Sequence, residues 1–318
     1  MSTALTQRAL RPDDAAAISV IYAAIESAEQ VDEVLSERDI AEEMTSPGAE
    51  LDRASVGVFD DDRLVAFGWL SVSPPAIDWK AFQWAGVLPE YTRRGLGHRI
   101  IRELEAAAAR IRDDDAPGRR GESRVWVVEK RPSAGALVDA AGYQTWRHFF
   151  HMRADLLRPA PPIPAPVGVE IRPYRASDDD DVLRVSNESF ADHWGSVPMD
   201  LERWRAQFAD SSSFRPGVSR VALLDGAIVS FVLCSEVEAD TQRRGYGTGY
   251  LARVGTLRSA RGRGIAGALL GAIEGLAAAE YRYAELTVDT ESPTGAGRLY
   301  ERAGFGTVGR SRVVGRRF

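Results

Sequence analysis

The sequence predicts a mixed α/β (α+β) protein built from two related domains in tandem. Three observations support this: a proline-rich segment lies near the middle, both halves show the same order of features, and strands alternate with helices in each half. With 318 residues, the chain is long enough for two domains that each bury a core.

The proline-rich segment, residues 158–168, separates the two halves. It reads Arg-Pro-Ala-Pro-Pro-Ile-Pro-Ala-Pro-Val-Gly, and its five prolines lack backbone N–H donors and favour an extended chain. We therefore expect a semi-rigid linker between an N-terminal domain at residues 1–157 and a C-terminal domain at residues 169–318.

Each half contains a glycine-rich turn, then a long helical pattern, a strand and a closing Ala-Gly-aromatic triplet. The turns are residues 92–97 and 261–266, and the triplets are residues 141–143 and 303–305. The shared order indicates a duplication. An acidic run at residues 178–181 predicts a helix start, where carboxylates cap free amides; a metal site is disfavoured because no histidine or further carboxylate cluster accompanies it.

Charge and composition exclude several classes of protein. The net charge of -6 argues against a general nucleic-acid binder, which needs a basic surface. The single cysteine, Cys234, lies in a strand-like apolar run, so we expect a small buried residue, no internal disulfide and a reducing compartment. No apolar run is long enough to span a bilayer, and residues 1–5 lack the pattern of a signal peptide. We therefore expect a cytoplasmic protein without membrane partners.

The second glycine-rich turn has the features of an anion-binding loop. Gly264 and Ala266 leave room for backbone amides at a helix start to approach an anion, and Arg261 and Arg263 add charged donors. A P-loop is excluded, because Ile265 and Ala266 stand where Lys and Ser/Thr are required. A dinucleotide-binding fold is disfavoured because its glycine-rich turn follows the first strand of the domain, whereas residues 261–266 lie far into theirs. One alternative stays open: the turn is a tight connection between a strand and a helix and binds no ligand.

At this point the residues resemble the GNAT acyltransferase superfamily. The superfamily turn is Gln/Arg-x-x-Gly-x-Gly/Ala, which residues 261–266 match. Residues 299–305, Leu-Tyr-Glu-Arg-Ala-Gly-Phe, look like the superfamily's Leu-Tyr-Glu-Lys/Arg-x-Gly-Phe motif. The tandem arrangement is similar to mycothiol synthase and its relatives. The resemblance implies, in each domain, a mixed and mostly antiparallel central sheet flanked by helices.

The resemblance also implies acetyl-CoA as the cosubstrate, held in a wedge where two central strands separate. The pyrophosphate is expected on the amides of the turn, and the pantetheine arm beside the strand that precedes it. Ser292 stands where many members have Asn. The residues expected to contact the coenzyme are Val254, Gly255, Thr256, Arg261, Gly262, Arg263, Gly264, Ile265, Ala266, Gly267, Ser292 and Ala296.

Attack of an amine on a thioester requires an oxyanion stabiliser, a base and a proton for the leaving thiolate. The superfamily motif assigns the proton to Tyr300, and a backbone amide near Val254 would polarise the carbonyl. Glu238 and Asp289 are the candidate bases, with a water chain as a further possibility.

The acceptor site is expected near the end of the first helix of the second domain. His193 and Trp194 lie there, and Tyr250 stands where the mycothiol synthase pattern has a Glu early in its strand. In the first domain, Thr92 replaces the expected Gln or Arg of the turn and Val138 replaces the tyrosine. We therefore expect that domain to be structural or to shape the substrate site.

The sequence thus predicts an N-acetyltransferase that moves acetyl from acetyl-CoA to a primary amine of a small molecule by direct attack. Two alternatives remain open: a catalytically inactive protein that binds or senses acyl-CoA, and an acetyltransferase for protein lysines. No metal is expected. A monomer and a homodimer are both compatible with the sequence.

Overall fold

The computed structural model describes residues 5–31, 35–74, 78–161, 163–292 and 294–318, and for residues 272–274 only the backbone. Residues 1–4, which enter the expectation about a signal peptide, lie outside this set. The chain forms two compact units, Met1–His148 with Arg310–Phe318 and Phe149–Gly309. No helix among the described residues has the length and apolar character needed to cross a membrane.

Unit 1 is a sheet of mostly antiparallel strands with helices on both sides. Its strands run in the order β1-β2-β3-β4-β5-β12, and only β4 and β5 are parallel neighbours. The strands are β1 (Thr6–Arg8), β2 (Ser55–Asp60), β3 (Arg63–Val72), β4 (Trp79–Val87), β5 (Gly121–Val128) and the C-terminal β12 (Gly306–Arg317). The helices are α1 (Ala15–Glu29), α2 (Glu37–Thr45), α3 (Leu96–Asp115) and α4 (Pro132–Ala140).

Unit 2 repeats this plan in the order β6-β11-β10-β9-β8-β7, with only β10 and β11 parallel. The strands are β6 (Gln144–Asp155), β7 (Val169–Pro173), β8 (Arg220–Leu224), β9 (Ala227–Ser235), β10 (Thr248–Thr256) and β11 (Tyr283–Asp289). The helices are α5 (Asp179–Phe190), α6 (Leu201–Trp204), α7 (Glu238–Arg244), α8 (Ile265–Leu269), α9 (Ala272–Ala278) and α10 (Ala296–Arg302). The predicted fold class, a mixed and mostly antiparallel sheet flanked by helices in each of two domains, is confirmed.

Each sheet is completed by a strand from the other half of the sequence. Residues 311–317 of β12 pair with β5 in unit 1, whereas residues 149–155 of β6 pair with β11 in unit 2. The compact units therefore differ from the sequence halves 1–157 and 169–318. The reason is that strand partners are chosen by long-range hydrogen bonding and side-chain contacts, which a local alternation pattern does not specify.

The duplication is visible in matching ion pairs at the start of each unit. Arg8 contacts Asp14 through two hydrogen bonds of 2.7 Å, and Arg172 contacts Asp178 at 2.7 and 2.8 Å. Both carboxylates are buried and stand just before the first helix of their unit. The helix start predicted at the acidic run is confirmed, since α5 begins at Asp179.

The sheet of unit 2 has two covered faces, and β9 shows how its residues divide between them. Phe231 belongs to a buried cluster with Val182 and Val185 of α5. Its neighbour Val232 and Cys234 belong to a second cluster that includes residues of α8. Cys234 is fully buried, as predicted. Successive side chains of a strand point to opposite faces, so α5 covers one face and α8 the other.

Candidate active site

The two parallel strands of unit 2 separate after a short paired segment. Residues 248–250 of β10 pair with residues 283–285 of β11, and the pairing ends there although the strands continue to Thr256 and Asp289. A cavity of about 1230 Å³ lies at this opening, lined by both strands, the turn before α8 and the start of α10. This is the wedge that the sequence resemblance implies.

The backbone of β10 presents free amides to this opening. The amide of Leu257 donates to the carbonyl oxygen of Val229 at 2.9 Å, and Gly255 lies two residues earlier in the same register with β9. Hydrogen-bonded residues alternate along an antiparallel strand. The amides of Leu257 and Gly255 therefore face β9, and those of Val254 and Thr256 face the opening.

The turn before α8 has the backbone conformation that glycine favours. Gly262 and Gly264 have φ of 72° and 80°, in the left-handed region. Within α8, the amide of Ala268 donates to the carbonyl of Gly264 at 3.1 Å. The amides that precede Ala268 belong to the first turn of a helix, which has no carbonyl four residues back to bind them. Gly262 and the first residues of α8, Ile265, Ala266 and Gly267, line the cavity.

The two arginines of this turn have different surroundings. Arg261 donates from Nη2 to the carbonyl of Ser189 at 2.8 Å and from Nε to the carbonyl of Thr256 at 3.3 Å. It therefore ties the turn to α5 and β10 while it lines the cavity. Arg263 is exposed and is not among the lining residues. The structure does not bring its side chain to the site.

The loop before α10 closes another side of the cavity. Ser292 and Ala296, two of the residues predicted to contact the coenzyme, both line it. The Ser292 hydroxyl lies 3.0 Å from that of Thr294, and α10 begins at Ala296 after Gly295, whose φ is 64°. The loop therefore presents hydroxyl groups and a helix start to the cavity.

Tyr300 lies on α10 and lines the cavity with little exposure, 8%. Its ring packs edge-on against Phe305 at 6.0 Å. Burial, together with the nearby Tyr250, raises the pKa of Tyr300 to about 12, so the phenol stays protonated at neutral pH. Among the described residues, none forms a hydrogen bond with this hydroxyl, which leaves it available to a ligand.

Tyr250 lies beneath the cavity and is not part of its lining. Its hydroxyl bonds to Thr287 Oγ1 at 2.8 Å, and burial raises its pKa. Thr287 itself lines the cavity, so Tyr250 contacts the site through this residue of its wall.

The structure separates the two candidate bases. Asp289, at the end of β11, lines the cavity and accepts a hydrogen bond from the amide of Glu291 at 2.8 Å. Glu238 begins α7 with its side chain 74% exposed, 3.0 Å from Arg215, and is not a lining residue. Its ion pair with Arg215 holds it at the surface.

His193 and Trp194 follow α5 and both line the cavity, where the acceptor site is expected. The His193 ring lies 4.6 Å from that of Phe190. Burial lowers the pKa of His193 below its ordinary value, and the charges of Arg261 and Arg253 lower it further. Asp289 partly offsets this, so His193 is mainly neutral at pH 7 and able to accept a proton.

Arg253 is a lining residue that sequence reasoning missed. It lies on β10, and its Nε donates to Ser186 Oγ at 2.7 Å while its guanidinium lies 3.9 Å from the centre of the Phe190 ring. Burial lowers its pKa to about 10. The signal was an arginine between apolar residues in the middle of a core strand, where a charge is costly.

Unit 1 has its own cavity, of about 760 Å³, at the corresponding place. It is lined by Gly95, Gly97 and Val138, and β4 and β5 pair only near their starts. Val138 is buried where unit 2 has Tyr300. This cavity therefore has no phenol at the position that corresponds to Tyr300.

The fold and the site define a class of protein that comparison with known sequences also identifies. The model of the acetyltransferase (GNAT) family matches residues 21–115 and 180–305. The chain belongs to this family, and it is an acyltransferase with two GNAT domains in tandem. The predicted resemblance is confirmed.

Among individual relatives, the chain is similar to mycothiol acetyltransferases. It is 32% identical over 229 residues to that of Salinispora tropica, covering 69% of this chain and 67% of the relative. It is 27% identical over 286 residues to that of Kytococcus sedentarius, covering 83% and 88%.

Solved structures show the same fold. A GCN5-related N-acetyltransferase from Sphaerobacter thermophilus is 26% identical, with a TM-score of 0.75 over 98% of this chain and 95% of that one. A tandem GNAT protein from the clavulanic acid biosynthesis pathway is 18% identical, with a TM-score of 0.73 over 99% and 98%.

Proposed function

We propose that this protein transfers the acetyl group of acetyl-CoA to a primary amine of a small molecule, by direct attack in the cavity of unit 2. The observation that carries the proposal is the convergence on one cavity of three elements: free amides of β10, the glycine turn before α8, and the unpaired hydroxyl of Tyr300. Each matches one part of an acyl-CoA thioester.

Acetyl-CoA would bind along these elements in order. The diphosphate suits the amides at residues 264–267, because a helix start with small residues attracts anions. The pantetheine arm would pair with the amides of Val254 and Thr256 in the manner of an added strand. This arrangement puts the thioester beside Tyr300 on α10. Arg263 has no part in it.

The acetyl transfer is then a single displacement. The neutral amine attacks the thioester carbonyl, the amide of Val254 stabilises the oxyanion, and the C–S bond breaks as the amide bond forms. Tyr300 donates its proton to the leaving sulfur. A pKa of about 12 keeps this proton in place until it is needed, and the same burial makes the thiolate more basic, because burial disfavours any anion.

The proton released by the amine would go to His193, and Asp289 would favour the protonated imidazole that results. Both residues line the cavity, and the charge of Asp289 raises the pKa of His193. We do not assign Glu238 a role in this step, because its carboxylate pairs with Arg215 outside the cavity.

A small-molecule acceptor is supported by the relatives, which are named for acetylation of mycothiol. The test is release of free thiol from acetyl-CoA with a panel of amines and, separately, with protein substrates. We expect turnover with one or more small amines. Saturable acetyl-CoA binding without turnover of any amine would instead indicate a binding or sensing protein, and acetyl-lysine found by mass spectrometry would indicate a protein acetyltransferase.

A further inference from the structure

Arg253 is an unpaired cation inside the proposed acceptor half of the cavity. Its side chain lies on the face of the sheet that α5 covers, because its Nε contacts Ser186 and its guanidinium contacts Phe190. Among the residues that the structure describes, no carboxylate lies within ion-pair distance of it. By contrast, Arg153 and Arg244, elsewhere in unit 2, both pair with Glu285.

Such a charge is unfavourable without a counterion. Burial is the cause of the lowered Arg253 pKa, and no acidic group counteracts it. The contact with the Phe190 ring and the one hydrogen bond to Ser186 offset only part of the free-energy cost of burying the charge. The two contacts also fix the direction of the side chain. Nε is used, which leaves the two terminal nitrogens of the guanidinium for a ligand in the cavity.

We propose that the acceptor carries a carboxylate in addition to its amine, as an amino acid does, and that Arg253 binds that carboxylate through its terminal nitrogens. The proposal rests on the proposed acetyl transfer. A planar guanidinium matches the two oxygens of a carboxylate. Binding the substrate would then complete an ion pair that the protein alone leaves open.

The charges around the cavity favour a monoanion over a phosphate. Arg261 is the other arginine that influences His193, but it is held by the carbonyls of Ser189 and Thr256. Asp289 adds a negative charge on another wall. Arg298 and Arg302 also line the cavity, but they lie on α10 and not on the face that α5 covers. Among the described lining residues that contact α5, Arg253 is therefore the guanidinium with both terminal nitrogens available, which suits one carboxylate, whereas a dianion would need further donors.

The test compares matched acceptors and variants. Each L-amino acid of a panel is assayed beside its carboxamide, with acetyl-CoA and detection of free thiol. For the best acceptor we expect the acid to exceed the amide in kcat/KM by roughly 10- to 100-fold, the range for a hydrogen bond to a charged group. In Arg253→Met we expect this preference to disappear through a higher KM for the acid. The readout is the acid-to-amide ratio within each variant, because loss of the Arg253 charge also alters the pKa of His193 and so affects both acceptors alike.

Further variants keep the test decisive if Arg253→Met folds poorly. Arg253→Lys retains the charge but loses the two parallel donors of the guanidinium, so we expect an intermediate preference for the acid. Ser186→Ala should also reduce this preference, because it frees Nε and leaves the guanidinium less firmly oriented. Arg184→Met, an exposed arginine on α5 that pairs with Asp181, serves as the control.

Turnover of acid and amide at equal rates, or a preference that survives in Arg253→Met, overturns the inference and leaves acetyl transfer in place. Absence of turnover with every amine rejects the proposed function, and this inference with it.

Discussion

Replacing Tyr300 by Phe removes one oxygen atom from the site and little else. The ring contact with Phe305 at 6.0 Å is kept, because Phe has the same ring. Among the described residues the hydroxyl has no hydrogen-bond partner, so its removal leaves no donor or acceptor unsatisfied. We therefore expect the free energy of unfolding to change by less than about 0.5 kcal/mol, and acetyl-CoA affinity to stay close to that of the wild type.

The loss in turnover should be much larger than the loss in stability. A positioned general acid accelerates its step by roughly 100- to 10,000-fold, or about 2.7–5.4 kcal/mol of barrier. Water replaces Tyr300 poorly, because the residue is only 8% exposed and its ring packs against Phe305. We expect kcat to fall within that range, with a similar KM for acetyl-CoA.

The assay is steady-state release of free thiol, accompanied by calorimetric titration of acetyl-CoA and urea unfolding. Tyr246→Phe is the matched control, since Tyr246 contacts the ring of Tyr283 at 5.3 Å and is not a lining residue of the cavity. Turnover of Tyr300→Phe within about threefold of the wild type, far below the general-acid range, would refute the assignment of the proton donor.

Three further predictions concern the base, the turn and the ion pair before α5. In Asp289→Asn, the acidic limb of the kcat–pH profile should move to lower pH, because Asp289 raises the pKa of His193 and the neutral imidazole is the active form. In Gly264→Val, a side chain at φ 80° adds about 1–2 kcal/mol of strain to the conformation that presents the amides. The free turn relieves this strain by leaving that conformation, and binding must restore it, so the Kd for acetyl-CoA should rise roughly tenfold in calorimetry. In Asp178→Asn, loss of the buried bond to Arg172 should lower the unfolding free energy in urea at pH 7 by about 3 kcal/mol.

The controls for these variants follow from the same contacts. The pKa of Asp178 is lowered in the fold, so its contribution is present above the unfolded value of about 3.9 and is lost as the pH falls through the folded one. The difference from wild type should therefore shrink in acid. Gly217→Ala tests a glycine with open space around it and no left-handed φ, so coenzyme affinity should be unchanged. An acidic limb that stays in place in Asp289→Asn would exclude the proposed influence on His193.

Local patterns predicted the parts of the molecule that depend on local chemistry. The glycine turn and the helix start at the acidic run follow from short motifs whose residues are near neighbours in sequence. The placement of Tyr300 on the same cavity as the turn was expected from the family resemblance, because the two segments are about 30 residues apart. The structure also shows the duplication that the sequence predicted. The ion pair of Arg8 has its counterpart in that of Arg172, and left-handed glycines occur at both turns.

Features that depend on distant partners were beyond sequence reasoning. Strand pairing places β6 in the sheet of unit 2 and β12 in the sheet of unit 1, and no local signal in the sequence marks either assignment. Glu238 is a reasonable base in sequence, but Arg215, 23 residues away, holds it at the surface. Arg253 is significant only because no described carboxylate approaches it, and that requires the packed structure.

The central claim is that the amides at residues 264–267 hold the diphosphate of acetyl-CoA and direct its thioester to Tyr300. A crystal structure of the complex with acetyl-CoA tests it most directly. We expect diphosphate oxygens within hydrogen-bond distance of those amides, and the sulfur within reach of the Tyr300 hydroxyl. Coenzyme bound only in the cavity of unit 1, or with its diphosphate away from this turn, would contradict the account.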